Sequence, residues 1–148
     1  MSLYMLRHKH MFLYMFISMF IIQYFVFSYI MSNRVEHINN SVGKVYMCTL
    51  MGLFMVFLDI LLADKFNAQY FAIVVGLILL FIYLYKTQFG VDDKNYLREM
   101  IEHHSMALLT SKQILEKTKN PGVNNFAVKI LLNQEKEIED MRYLLKSI

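Results

Sequence analysis

Three long stretches of this chain carry almost no polar side chain. Met11 to Met31 reads MFLYMFISMFIIQYFVFSYIM, with Gln23 as its one strongly polar residue. Val45 to Ala63 reads VYMCTLMGLFMVFLDILLA, and Phe66 to Tyr85 reads FNAQYFAIVVGLILLFIYLY. A helix crosses a bilayer with about 20 mainly apolar residues, so each run predicts one transmembrane helix. Tyrosine and phenylalanine crowd the ends, as interfacial aromatics do. Only Asp64-Lys65 separate the second and third runs, which predicts a tight helical turn. The first run is too long for the apolar part of a signal peptide, and no small-x-small cleavage site follows it, so it is expected to be retained.

After Lys86 the pattern changes from continuous to periodic. Gly90 breaks the chain, and Asp92-Asp93 offer a cap and a favourable charge for a new helix, expected to run to about Thr118. Asn120-Pro121 restart it, with asparagine at the cap and proline at the first helical position. A helix turns by about 100° per residue. In the first helix Leu97, Met100, Ile101, His104, Ala107, Leu108, Ser111 and Leu115 then share one stripe. In the second, Val123, Ala127, Ile130, Leu131, Gln134, Ile138, Met141 and Leu145 share another. The short connection predicts antiparallel neighbours. The expected fold is all-α: a membrane domain over residues 1–89, then a helical hairpin domain over residues 90–148. A two-helix hairpin buries little surface by itself, so two copies pairing into a four-helix bundle is one expectation.

Composition agrees with this division. Of the 148 residues 57% are hydrophobic and 18% charged, against roughly half and a quarter in ordinary soluble domains. The excess lies before Lys86 and the charge after it. The net charge of +3 is small, and acids alternate with bases near the C-terminus (Glu135, Lys136, Glu137, Glu139, Asp140, Arg142), which describes a solvated helix face and excludes a nucleic-acid patch. Three spans put the termini on opposite sides of the bilayer. The positive-inside rule is a tie: Arg7, Lys9 and Lys65 on one side against Arg34, Lys44 and Lys86 on the other. Cys48 is the single cysteine, so no intrachain disulfide forms.

The candidate chemistry centres on REMIEHHSMALL, Arg98 to Leu109. If the hairpin folds near Lys119-Asn120, His104 faces Gln134 and Glu135, His103 lies near Glu137, and Met100 lies near Ile138 and Met141. Imidazole and thioether are ligands that suit Cu(I) or Ag(I). Met100, His103, His104 and Met141 are the candidate ligands, with Gln134 and Glu137 as groups that orient the imidazoles. The competing explanation is packing, with Gln134 satisfying a core histidine. In the spans, Met11, Met15 and Met19 form one ladder, and Met47, Met51 and Met55 another beside Cys48; the second is a candidate soft-metal path, although methionine also packs well against apolar neighbours. Asp59 near the end of the second run is either an ion site or an interfacial carboxylate.

Residues 91–145 resemble the bacterial family known as domain of unknown function 305. Its signature helix carries Met-Ile-Pro-His-His followed by a small or apolar residue and alanine; Met100-Ile101-Glu102-His103-His104 and Ala107 are similar to it. Gln134, Glu137-Ile138 and Met141 match its second helix. Glu102 stands where the family usually has proline, which leaves this helix uninterrupted. YMCTLMGLFM in the second run, and Thr87-Gln88 with Gly90-Val91-Asp92, resemble membrane-bound members. The resemblance implies a ferritin-like helical arrangement, an association with copper or silver, and a hairpin on the non-cytosolic side.

The leading expectation is a membrane-anchored Cu(I)- or Ag(I)-binding protein, not an enzyme. The alternative is a membrane-bound oligomerisation module, a homodimer through the hairpin, without metal chemistry. A di-iron oxidase needs Glu-x-x-His pairs, and Glu99 and Glu102 do not supply them; both are expected to point outward. No glycine-rich phosphate loop is present. Three spans are few for a monomeric transporter.

Overall fold

Two compact units make up the protein in its computed structural model, which describes residues 3–63 and 66–148. One comprises residues 1–26 and 43–90, the other residues 27–42 and 91–148. Among the described residues there are helices and connections and no strand. The turn expected at Asp64-Lys65 lies outside the described residues.

The first unit holds the apolar runs except the end of the first, residues 27–31, which belongs to the second unit. Helix α1 (Leu3–Ile21) passes into a π-helical stretch (Ile22–Phe27) and a short α2 (Ser28–Met31). Helices α3 (Val42–Leu62) and α4 (Ala68–Lys86) follow. Three segments, Met11–Met31, Val42–Leu62 and Ala68–Lys86, are long and apolar enough to span a membrane. At 1.5 Å per residue, a helix of 21 residues covers roughly 30 Å, the thickness of the hydrocarbon core. The inner surface comes from Leu50, Leu53, Val56 and Ile60 of α3 with Val74 and Ile78 of α4, and Phe12 and Phe16 of α1 pack against them. Between membrane helices the apolar effect is weak, so close approach matters more. Gly52 provides it: a Cβ there would lie 2.7 Å from Phe16 Cδ2. Asn67 caps α4, its Oδ1 accepting the Gln69 and Tyr70 N–H groups. Gly90 closes the unit at φ +68, the left-handed region that glycine enters without steric cost.

The second unit is the hairpin and one further segment. Helix α5 (Asp93–Leu115) starts at the Asp92 cap, whose carboxylate accepts the Asn95 N–H. Helix α6 (Pro121–Ser147) starts at Asn120, whose Oδ1 accepts the Gly122 and Val123 N–H groups, with proline in the first turn. Helix α5 stops a little short of the expected Thr118, because the Lys117 and Thr118 N–H groups both turn back to the Ile114 carbonyl. Ile101, Leu108 and Ile138 form the buried centre, with Leu131, Met141 and Leu145 against it.

The added segment is the connection between the first and second apolar runs. Residues 32–41, with a 3₁₀ turn at Val35–His37, lie on the hairpin as a third layer. The expected division at residue 90 falls between α4 and α5. The segment 27–42, far away in sequence, belongs with the hairpin all the same.

Candidate functional site

The two adjacent histidines separate, as consecutive positions about 100° apart on a helix must. His104 turns toward α6 and keeps 18% of its side chain exposed. His103 is exposed. The His104 Nδ1 lies 3.1 Å from Glu137 Oε2. That approach is not aligned for a hydrogen bond, and Nδ1 is buried with no other partner. Burial holds the His104 imidazole below the ordinary histidine range, while Glu137 pulls the other way and His103 adds to the lowering. Gln134 Nε2 donates to the same Glu137 oxygen at 3.2 Å.

Of the expected cluster, the structure therefore joins His104, Glu137 and Gln134. The pairing of His103 with Glu137 is corrected: Glu137 reaches the more inward histidine, because His104 and not His103 lies in the α5 seam. With His104 opposite Glu137 in an antiparallel hairpin, Met100, one turn back, falls level with Met141, one turn on. Met100 is half-buried, and Met141 packs on Ile101, Leu108 and Ile138. In the membrane unit Cys48 is buried, Met47 is exposed, and Met51 and Met55 are half-buried. Asp59 is half-buried.

A second polar cluster occupies the other side of α5, and sequence reasoning missed it. Ser105 is fully buried, at 0% exposure. Its hydroxyl accepts the Asn33 backbone N–H at 2.9 Å and lies 2.9 Å from Nδ1 of His37, itself 3% exposed. The serine hydroxyl, with one proton and two lone pairs, bonds the Asn33 amide and the His37 ring at once, with donor and acceptor on the second bond set by the His37 tautomer. Glu102 Oε2 accepts the Asn39 N–H at 3.1 Å, and Asn95 Oδ1 accepts the Val42 N–H at 3.2 Å. Ser41 hydrogen-bonds Glu99, whose Oε2 is buried without a partner. The expectation that Glu99 and Glu102 point outward is thereby corrected: both turn to the 39–41 backbone and side chains. Burial pushes Glu99 up from the usual carboxylate range, against the pull of His103 and Ser41.

A cleft beside this cluster is lined by Arg34, His37, Leu108, Glu135, Glu139 and Arg142, among others. Glu36 Oε1 lies 3.4 Å from Arg34 and 3.6 Å from Arg142, and these cations lower its carboxyl below the usual range. Burial lowers His37, Glu36 raises it, and Arg142, Arg34 and Lys112 lower it further. A signal for this cluster was present. Small polar Ser105 and Ser111 occur at inward positions of α5, and small residues let a neighbouring backbone approach. The sequence does not say which backbone arrives.

No group of three or more His, Cys, Asp or Glu side chains converges among the described residues.

Comparison with known proteins gives two matches. Residues 86–148 match the family model described as "Domain of unknown function (DUF305)". Over 117 residues the chain is 32% identical to a protein described as "Uncharacterized protein L153" of Acanthamoeba polyphaga mimivirus, covering 77% of each chain. That alignment is longer than the hairpin, so it includes part of the apolar runs. No solved structure matches.

Proposed function

Since the chain belongs to the family of the domain of unknown function 305, we propose that it is a membrane-anchored protein whose hairpin binds a soft metal ion, Cu(I) or Ag(I). His104, Met100 and Met141 would be the ligands. The observation that carries this is the His104 Nδ1, a buried ring nitrogen without an aligned hydrogen bond. A buried polar atom of this kind is costly unless something meets it. A lowered imidazole pKa keeps the nitrogen lone pair available to a metal at neutral pH. Thioethers one helical turn away would make the donor set soft, which favours Cu(I) and Ag(I) over hard divalent cations.

Glu137 and Gln134 would orient the imidazole rather than coordinate, as outer partners of metal-bound histidines do. His103 drops out of the ligand set because it is exposed on the neighbouring face. The reading is one of binding: Glu99 and Glu102 are engaged with Ser41 and Asn39. The hairpin's ferritin-like kinship and a position on the non-cytosolic side form part of the same proposal.

Cu(I) titration of the full-length protein in detergent, against a competing chelator, is the test. His104→Ala is expected to weaken binding at least about tenfold, with His103→Ala close to the parent. A His104→Ala protein that binds as tightly as the parent overturns the site.

A further inference from the structure

The two sides of the hairpin differ in cover. Positions one residue after the core seam carry the polar cluster and the 32–41 segment: Ser105 follows His104, and Arg142 follows Met141. Positions one residue before the seam form a second stripe on each helix. On α5 these are positions 96, 100, 103, 107, 110 and 114; on α6 they are 126, 130, 133, 137, 140 and 144. Both series step by four and three, the spacing of a helix-packing seam. In an antiparallel pair of right-handed helices, both series fall on the same side. Neither contains a lysine or arginine, in a chain with 15 of them. Tyr96, Ile114, Phe126 and Leu144 on these stripes are 52%, 40%, 66% and 48% exposed. Thr110 turns its hydroxyl back to the Met106 and Ala107 carbonyls, so it makes no polar demand on this surface.

We propose that this uncovered side is a homodimer interface, closed by the same side of a second copy. The choice of occupant follows from self-complementarity. A two-fold axis parallel to the helices brings α5 of one copy against α6 of the other, antiparallel and at the same level. His103 then faces Glu137 of the partner subunit, and Tyr96 and Ile114 meet the apolar ends of the opposite stripe. The one histidine of the stripes meets an acid, Glu137, while Asp140 faces Met100, so no like charges are paired across the contact. A heterologous partner would need its own matching pattern, whereas this chain already carries both halves. His103, exposed and outside the hairpin's own seam, then meets an acid across the interface in addition to Glu99 on its own helix. The arrangement needs no metal, so it stands or falls separately from the proposed ligands.

The test is the mass of the metal-free full chain in detergent micelles, by light scattering with the detergent contribution removed. The expected mass is two chains of 17.6 kDa. Ile114→Lys/Phe126→Lys changes only exposed side chains and is expected to be monomeric with unchanged helical circular dichroism. His103→Glu sets two acids against each other and is expected to raise the dissociation constant about tenfold or more. A monomeric parent overturns the proposal. So does a parent dimer that survives both variants undiminished, since the contact then lies elsewhere.

Discussion

Helix α5 presents a polar cluster on each of two sides, and they are built differently. On the covered side Ser105, His37 and the Asn33 amide are buried and mutually hydrogen-bonded. In the seam, at its uncovered edge, His104 touches Glu137 at 3.1 Å without an aligned bond, and Glu137 is half exposed. Both sites use a histidine whose ring burial keeps neutral. The first is closed: its Nδ1 position is already filled. The second leaves Nδ1 open to another group. Saturation of hydrogen bonds, not the presence of histidine, separates a structural lock from a candidate site.

The comparison can be broken most directly at Ser105. Ser105→Ala leaves the Asn33 N–H and the His37 Nδ1 buried without their partner, and each such group costs about 1–3 kcal/mol. A loss of ~2–4 kcal/mol is expected in thermal or denaturant unfolding of the detergent-solubilised protein. If Ser105→Ala costs almost nothing, the covered side is not a lock.

Acidification comes next in size and touches both sides. In the unfolded chain a histidine titrates at about pH 6.5, while burial sets His37 and His104 lower in the fold. Below about pH 6.5 the unfolded state therefore takes up protons first. The associated stability is complete above that pH and is lost as pH falls towards the folded-state values. The melting temperature should fall from neutral pH to mildly acid pH. His104→Gln should remove the uncovered side's share, leaving that of His37.

The smallest effect belongs to Glu137. Its contact with His104 is half exposed and screened, so Glu137→Ala should cost less than about 1 kcal/mol in unfolding. A larger loss would mean that the uncovered side is as tightly built as the covered one.

Much of the fold could be read from residue order. Apolar length located the three membrane-length helices, and Asp92, Asn120 and Pro121 marked the hairpin, because capping is local chemistry between neighbours. The seam of Ile101, Leu108 and Ile138 followed from helical period alone. The site was only partly legible. Period placed His104 inward, yet Glu137 was assigned to His103, since a one-residue difference in rotation decides which neighbour a long side chain reaches. His37 was invisible as a core residue because its burial depends on Ser105, 68 residues away. Glu99 and Glu102 were read as solvent-facing for the same reason: nothing in α5 announces that Asn39 and Ser41 come to meet it.

The bond between Asn33 and Ser105 spans 72 residues, and two membrane-length helices, α3 and α4, lie between its ends. Two crossings return the chain to the side it left; one or three would not. If α3 and α4 both cross a bilayer, Asn33 and Ser105 meet only when the two insert together. A chain that skipped one of the two crossings would strand Asn33 and Ser105 across the bilayer from each other, with both halves of the lock exposed.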